Sequence, residues 1–285
     1  MFKEYGQIYQ KVLSAFPNHD FEFMKKYELL DLEARSGKAG GGYMTYFPDY
    51  KAPFIFSNFN GTSGDVDVIT HECGHAFQGY LVRDEEIREF ADITMETAEI
   101  HSMSMEYFTY GWMDKFFGDR KDDYLDMHFK AAAIFIPYGT MVDEFQHHVY
   151  ERPEMTPAER RALWLELEKE YRPFMDFDGD PFYGEGGFWQ RQAHIYNMPF
   201  YYIDYVIASI CAMQFKTMMD EDYKKAWDNY LKLCKLSARD FFTNMIKEVI
   251  PHERMITFRM VFCNAYIFIH MKRIDLTPVN FVTGE

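Results

Sequence analysis

Residues 68–80 read VITHECGHAFQGY, which sets His71 and His75 four residues apart with Glu72 directly after the first histidine. On an α-helix, positions i and i+4 lie one turn apart on nearly the same face, so both imidazoles can reach one cation. A carboxylate beside such a pair is suited to take a proton from a water that attacks a carbonyl. A hydrolytic zinc ion usually has three protein ligands, so a third must come from elsewhere. The stretch FADITMETAEIHSMSMEYFTY reads as a second helix, with Glu96, Glu99, Met103 and Glu106 on one face at spacings of three, four and three. Pointing that stripe inward is costly unless the carboxylates meet a cation or hydrogen-bond to its ligands. Spacing alone leaves Glu96 and Glu99 both open as the third ligand.

The elements that must position these groups are mostly helical. Val66, Ile69, Cys73 and Phe77 recur at helical spacing around the histidine pair, and Asp65 stands where an N-cap is expected. Most of the chain alternates helical patterns with short loops, so the class is mainly α. The exception is 39–62, where AGGGYMTYFP and APFIFSNFNGT predict a small sheet or hairpin ahead of the histidine helix. The run FIFSNFNGT is expected to expose an edge able to pair with an extended peptide. Charged turns are expected at 115–124 and 151–161, the second containing Pro153 and Pro157. Gly184, Gly186 and Gly187 predict either a mobile loop or a tight turn. His147 and His148 are adjacent and point about 100° apart on a helix, so they read as structural or surface residues. The GGG at 40–42 lacks the lysine and Ser/Thr of a phosphate loop. No repeat or linker divides the chain, so residues 1–285 are expected to form a single domain.

Composition narrows the partners. The chain has 285 residues, 48% of them hydrophobic, and 45 acidic against 30 basic residues give a formal net charge of -15. That charge repels a phosphate backbone or an anionic membrane, which argues against nucleic acid and membrane partners. Cys73, Cys211, Cys234 and Cys263 form no CxxC pair, and MFKEYGQIYQKVL is too charged for a secretory signal. A reducing cytoplasm follows. The apolar run MVFCNAYIFIHM from Met260 is shorter than the roughly 20 residues that span a bilayer.

Three segments together resemble one family: LLDLEARSGKAGGGYMTYFPDYKAPFIFSNFNGTSGDVDVITHECGHAFQGY, then ETAEIHSMSMEYF, then FWQRQAHIYNMPFYYIDYVIAS. Their order and spacing are similar to the oligoendopeptidase F branch of the thimet-oligopeptidase-like zinc metallopeptidases, gluzincins with the His-Glu-x-x-His motif. The resemblance implies a zincin-like catalytic domain of packed helices holding one zinc ion per chain through His71, His75 and Glu99. It implies Glu72 as general base and Glu106 as a carboxylate behind the ligands. It also implies that His194, Tyr201 and Tyr205 bind substrate and stabilise the oxyanion, although Ile203 stands where the family often has a tyrosine, which leaves the roles of Tyr196 and Tyr202 unassigned. The activity implied is endopeptidase cleavage of short oligopeptides. Family members are about twice this length, and the segment after about Lys247 departs from the family pattern. The expectation is therefore either a stand-alone catalytic portion or a piece that self-associates or recruits a partner chain in place of the family's N-terminal lobe. The rival reading is a non-catalytic remnant or peptide-binding module.

Overall fold

The computed structural model describes residues 23–24 and 26–251. The N-terminal MFKEYGQIYQKVL, the run from Met260, Cys263 and most of the atypical C-terminal segment lie outside the described residues. Three strands, β1 (Leu30–Glu33), β2 (Tyr43–Phe47) and β3 (Ala52–Phe59), precede six longer helices. These are α1 (Ser63–Leu81), α2 (Met95–Phe108), α3 (Lys121–Glu151), α4 (Pro157–Tyr171), α5 (Tyr202–Leu236) and α6 (Phe242–Val249). The fold is mainly α with one small sheet, as expected.

The sheet order is β1-β3-β2, with β1 parallel and β2 antiparallel to β3. The expectation that FIFSNFNGT exposes an edge is therefore corrected over its first residues: β3 is the central strand, paired with β2 over Ala52–Phe56 and with β1 at Ile55, Phe56 and Phe59. Its alternation places Ile55 and Phe59 in a core with Ile69, Cys73 and Ala76 of α1, so the sheet packs on the helix that carries the histidine pair. The β1 side of the sheet is fastened by the nearly buried Lys38 ammonium, which donates to Asp31 Oδ1 (3.0 Å), to the carbonyls of Asp31 (3.0 Å) and Glu33 (2.9 Å), and to Ser57 O on β3. Asp31 also receives a two-pronged contact from Arg35, at 2.6 Å to each oxygen. The Arg35 hydrogen bonds, with the bonds and charge of Lys38, outweigh the opposing effect of burial and lower the Asp31 carboxyl to about 2.

Helix α1 begins earlier than the sequence suggested. Thr62 occupies the N-cap position, and Asp65 sits inside the first turn. Its carboxylate accepts the backbone N–H of Asn60 (3.0 Å) and Gly61 (2.6 Å), so it secures the chain entering the helix instead of capping it. The charged turn expected at 115–124 is mostly helical, with a short helix at Asp114–Phe117 and α3 starting at Lys121.

The chain divides into two compact units, residues 23–132 with 207–251 and residues 133–206 among those described, the division falling within α3 and within α5. The first holds the sheet, α1, α2 and α6. The second has its own core of Met141, Phe145, Trp164, Leu167, Tyr171 and Trp189. Its helix α4 starts at a reciprocal cap, Thr156 with Glu159. The stretch Tyr183–Gly187 is a tight turn against α4: Gly186 has φ +81°, and a Cβ there would lie 2.2 Å from Arg161 O. Only glycine meets both demands.

Candidate metal centre and second site

The metal candidates converge within the first unit. The ligating atoms of His71, His75 and Glu99 all lie within 4.8 Å of one another, the one such group of three among the described residues. Both Nε2 atoms face Glu99 Oε2, at 3.1 Å from His71 and 3.5 Å from His75. Bonds of about 2.1 Å in a tetrahedral arrangement place ligand atoms about 3.4 Å apart, so two imidazoles and one carboxylate at these separations fit a zinc ion. The alternative that spacing left open, Glu96, does not join this cluster.

Close approach of α1 and α2 creates the convergence. A Cβ on Gly74 would meet His101 O at 2.5 Å and Ser102 Cα at 2.6 Å, so the two helices touch backbone to backbone between His71 and His75. Beneath this crossing, Ser102 Oγ donates to Glu99 Oε2 (2.9 Å) and Tyr230 donates to His101 O (2.9 Å). Burial depresses the His101 imidazole to about 3, so the ring stays neutral beside the site.

The charges explain how the donors are held. Burial opposes an ionised Glu99, but His75 and His71 outweigh it and keep the carboxyl well below its usual range. Burial likewise opposes a charged His71, yet hydrogen bonds to Glu106 and Glu99 hold its imidazole well above the usual value. Glu106 Oε1 accepts from His71 Nδ1 at 2.7 Å, and Glu106 Oε2 accepts from His128 Nε2 at 2.7 Å. Burial raises the Glu106 carboxyl, but the His128 and His71 hydrogen bonds more than offset it, so it is ionised near neutral pH. With Nδ1 of His71 donating to Glu106, the lone pair of a neutral ring lies on Nε2, facing Glu99. Glu72 follows His71 on the same turn and is buried.

His194, Tyr201 and Tyr205 lie in the second unit and sit together there. The ring centroids of His194 and Tyr201 are 5.9 Å apart, those of His194 and Tyr205 6.1 Å, and those of Tyr201 and Tyr205 4.5 Å. Tyr202 packs into the core of that unit, whereas Tyr196 is exposed and stacks on Trp189. Gln192 Nε2 lies 3.0 Å from His194 Nδ1, and Tyr138 donates to Gln192 Oε1 at 2.9 Å. Phe200, just before α5, has φ +65°, and its N–H is held by the buried Gln146 side chain at 2.9 Å. His147 and His148 pair along their own helix with Asp143 (3.4 Å) and Glu144 (3.6 Å), consistent with surface roles.

Sequence reasoning passed over His128, Tyr110, Gln192, Tyr138 and Gln146. His128 lies in DDYLDMHFK, where its i+4 relation to Tyr124 is the one local sign of a shared contact. Gln192 lies two residues before His194, a spacing with no chemical signature of its own.

Comparison with known proteins follows the same lines. A family model described as Peptidase family M3 matches residues 7–238. The group B oligopeptidase PepB of Streptococcus agalactiae serotype III (strain NEM316) is 25% identical over 238 residues, spanning 80% of this chain and 37% of that protein. The chromosomal oligoendopeptidase F of Lactococcus lactis subsp. cremoris is 25% identical over 167 residues, or 58% of this chain and 24% of that one. Among solved structures, PZ peptidase A with an inhibitor superposes with a TM-score of 0.83 at 47% identity, covering 94% of this chain and 48% of the other. A protein of Bacillus anthracis str. Ames, provisionally named oligoendopeptidase F, gives a TM-score of 0.76 at 41% identity, covering 94% and 46%. The chain thus spans about half the length of these solved relatives and 37% or less of these curated ones.

Proposed function

The chain belongs to peptidase family M3, and from that premise we propose that it is a zinc-dependent endopeptidase acting on short oligopeptides, with one zinc ion per chain held by His71, His75 and Glu99. The observation that carries this reading is the meeting of two imidazole nitrogens and one carboxylate oxygen within 4.8 Å of one another, with the carboxylate oxygen 3.1 and 3.5 Å from the two nitrogens. A bound zinc ion supplies Lewis acidity, which polarises a peptide carbonyl and brings the pKa of a water toward about 7.

The protein's own residues do the rest. Glu99 provides the negative charge that holds the cation, and Glu106 keeps the His71 proton on Nδ1. Glu72 accepts a proton from the attacking water and delivers it to the leaving amine, so that one carboxylate serves as base and then acid. His194, Tyr201 and Tyr205 are the proposed donors to the substrate and to the oxyanion that develops on its carbonyl. One donor aimed at such an oxygen contributes about 3 kcal/mol of transition-state stabilisation.

The negative net charge supports peptide over nucleic-acid substrates. No described helix is long and apolar enough to cross a membrane. Cys73, Cys211 and Cys234 are free and buried, which supports a reducing cytoplasm as the compartment. One rival reading is a non-catalytic remnant or peptide-binding module. Glu72→Gln separates the two. An enzyme loses its cleavage of a quenched fluorescent peptide while retaining zinc, whereas a binding module holds peptide equally well with and without the substitution. A wild-type chain whose cleavage survives complete chelation rules out the zinc mechanism.

A further inference from the structure

Behind the donor cluster, the first two turns of α3 grip both ligand-bearing helices. Tyr124 and His128, one turn apart on α3, share a face. Tyr124 donates to Asp67 Oδ1 on α1 at 2.6 Å, and His128 reaches Glu106 Oε2 on α2 at 2.7 Å. Asp67 itself lies one turn before His71. The His128 ring is buried among Tyr107, Tyr110 and Tyr124, with centroid separations of 5.6, 5.5 and 5.7 Å, and Tyr110 Oη lies 2.6 Å from His128 Nδ1.

We infer that His128, held by Tyr110, is a positioning residue for the metal centre: it occupies the second oxygen of Glu106 so that the first stays committed to His71. The inference rests on the metal reading above. At 2.7 Å each, both imidazoles that touch Glu106 present N–H to a carboxylate oxygen. This fixes the His128 proton on Nε2, and Nδ1 then takes the Tyr110 hydroxyl proton. Burial pushes the Tyr110 hydroxyl upward, so that proton is retained. Freed from His128, Glu106 loses the donor to one oxygen in a partly buried site. It can then rotate, and its grip on the His71 ring loosens. Groups that orient a metal-binding imidazole in this way typically change metal affinity by about 10–100-fold. The Tyr124–Asp67 contact adds a second fastening from the same helix face, so α3 fixes α1 and α2 at once.

The test compares His128→Leu with His128→Gln in the full chain. Leucine fills the volume without donating, whereas the glutamine amide nitrogen can take the place of Nε2. Zinc affinity is measured by competition with a chromophoric chelator, and melting temperature without metal serves as the control for a purely structural role. The expected result is a 10–100-fold weaker affinity for His128→Leu, near wild-type affinity for His128→Gln, and a metal-free melting temperature for the leucine variant only a few degrees below that of the glutamine variant. Equal affinity of His128→Leu and wild type overturns the inference, as does a loss in His128→Gln as large as in His128→Leu. Where the leucine variant does not fold, nitrogen NMR of the zinc-loaded wild type decides: protons on His71 Nδ1 and His128 Nε2 support the inference, and the opposite tautomer at either ring overturns it. A wild-type chain that takes up no zinc overturns the metal reading and this inference with it. A wild type that binds zinc no better than His128→Leu overturns this inference alone.

Discussion

Replacing Gly74 with alanine tests whether backbone contact between α1 and α2 builds the site. On helix propensity alone the change should stabilise the protein by about 1 kcal/mol. The added Cβ, however, would lie 2.5 Å from His101 O and 2.6 Å from Ser102 Cα, where ordinary contact begins near 3.4 Å. Both neighbours are backbone atoms, so no rotamer change can relieve the clash, and the helices must separate by about 0.9 Å at that point. Overpacking of this kind costs about 1–3 kcal/mol, enough to cancel or reverse the propensity gain. The larger effect falls on the donors, because metal–ligand distances tolerate only about 0.2 Å and Glu99 rides on the helix that moves. Gly74→Ala should therefore weaken zinc binding at least tenfold. It should also lower the melting temperature by a few degrees, given about 2–4 °C per kcal/mol for a domain of this size. Gly79→Ala is the internal control: on the same helix, its Cβ would meet the Tyr46 ring at 3.4 Å and Met44 Cε at 3.9 Å, both ordinary contacts with side chains, so it should leave zinc affinity unchanged and stability equal or higher. The assay is chelator competition alongside thermal unfolding. The reasoning is refuted if Gly74→Ala matches Gly79→Ala in both.

Other outcomes follow from the same geometry. Asp31→Asn should be less stable than wild type at neutral pH. Because the folded pKa of Asp31 is depressed to about 2, that difference should be full above about pH 4, shrink as pH falls from about 4 to about 2, and vanish below; urea unfolding across this range checks it. Gln192→Leu, which removes the donor to His194 Nδ1, should lower kcat/KM by about tenfold through loss of one hydrogen bond, with zinc content unchanged. Gly186→Ala should cost more than about 1 kcal/mol, because φ +81° and the 2.2 Å approach to Arg161 O both exclude a Cβ; equal unfolding midpoints would contradict the tight-turn assignment.

The parts of the site legible in the sequence were those encoded within one helix. His71 and His75 declared themselves by four-residue spacing, and the Glu96–Glu106 stripe by its periodicity, because helical geometry translates spacing directly into a shared face. Choosing Glu99 over Glu96 required the resemblance, since both occupy that face and only the crossing angle of two helices separates them. His128 was illegible because its partner, Glu106, is 22 residues away and its neighbours Asp122, Asp123 and Asp126 suggest solvent. The four residues of β1 were missed for a similar reason. A parallel pairing with β3 leaves no local signal, and LDLE is too short to alternate visibly. The strand β3 itself was recognised, but whether it is central or at an edge depends on its neighbours and not on its own pattern. Asp65 misled because a carboxylate near a helix start serves equally well as a cap or, as here, as an acceptor for the residues leading in.

Anomalous diffraction at the zinc edge, from crystals of the chain equilibrated with the metal, locates the cation. A single peak is expected about 2.0–2.2 Å from His71 Nε2, His75 Nε2 and Glu99 Oε2. Absence of that peak at saturating zinc, or a peak with the Glu99 carboxylate turned away from it, contradicts the account.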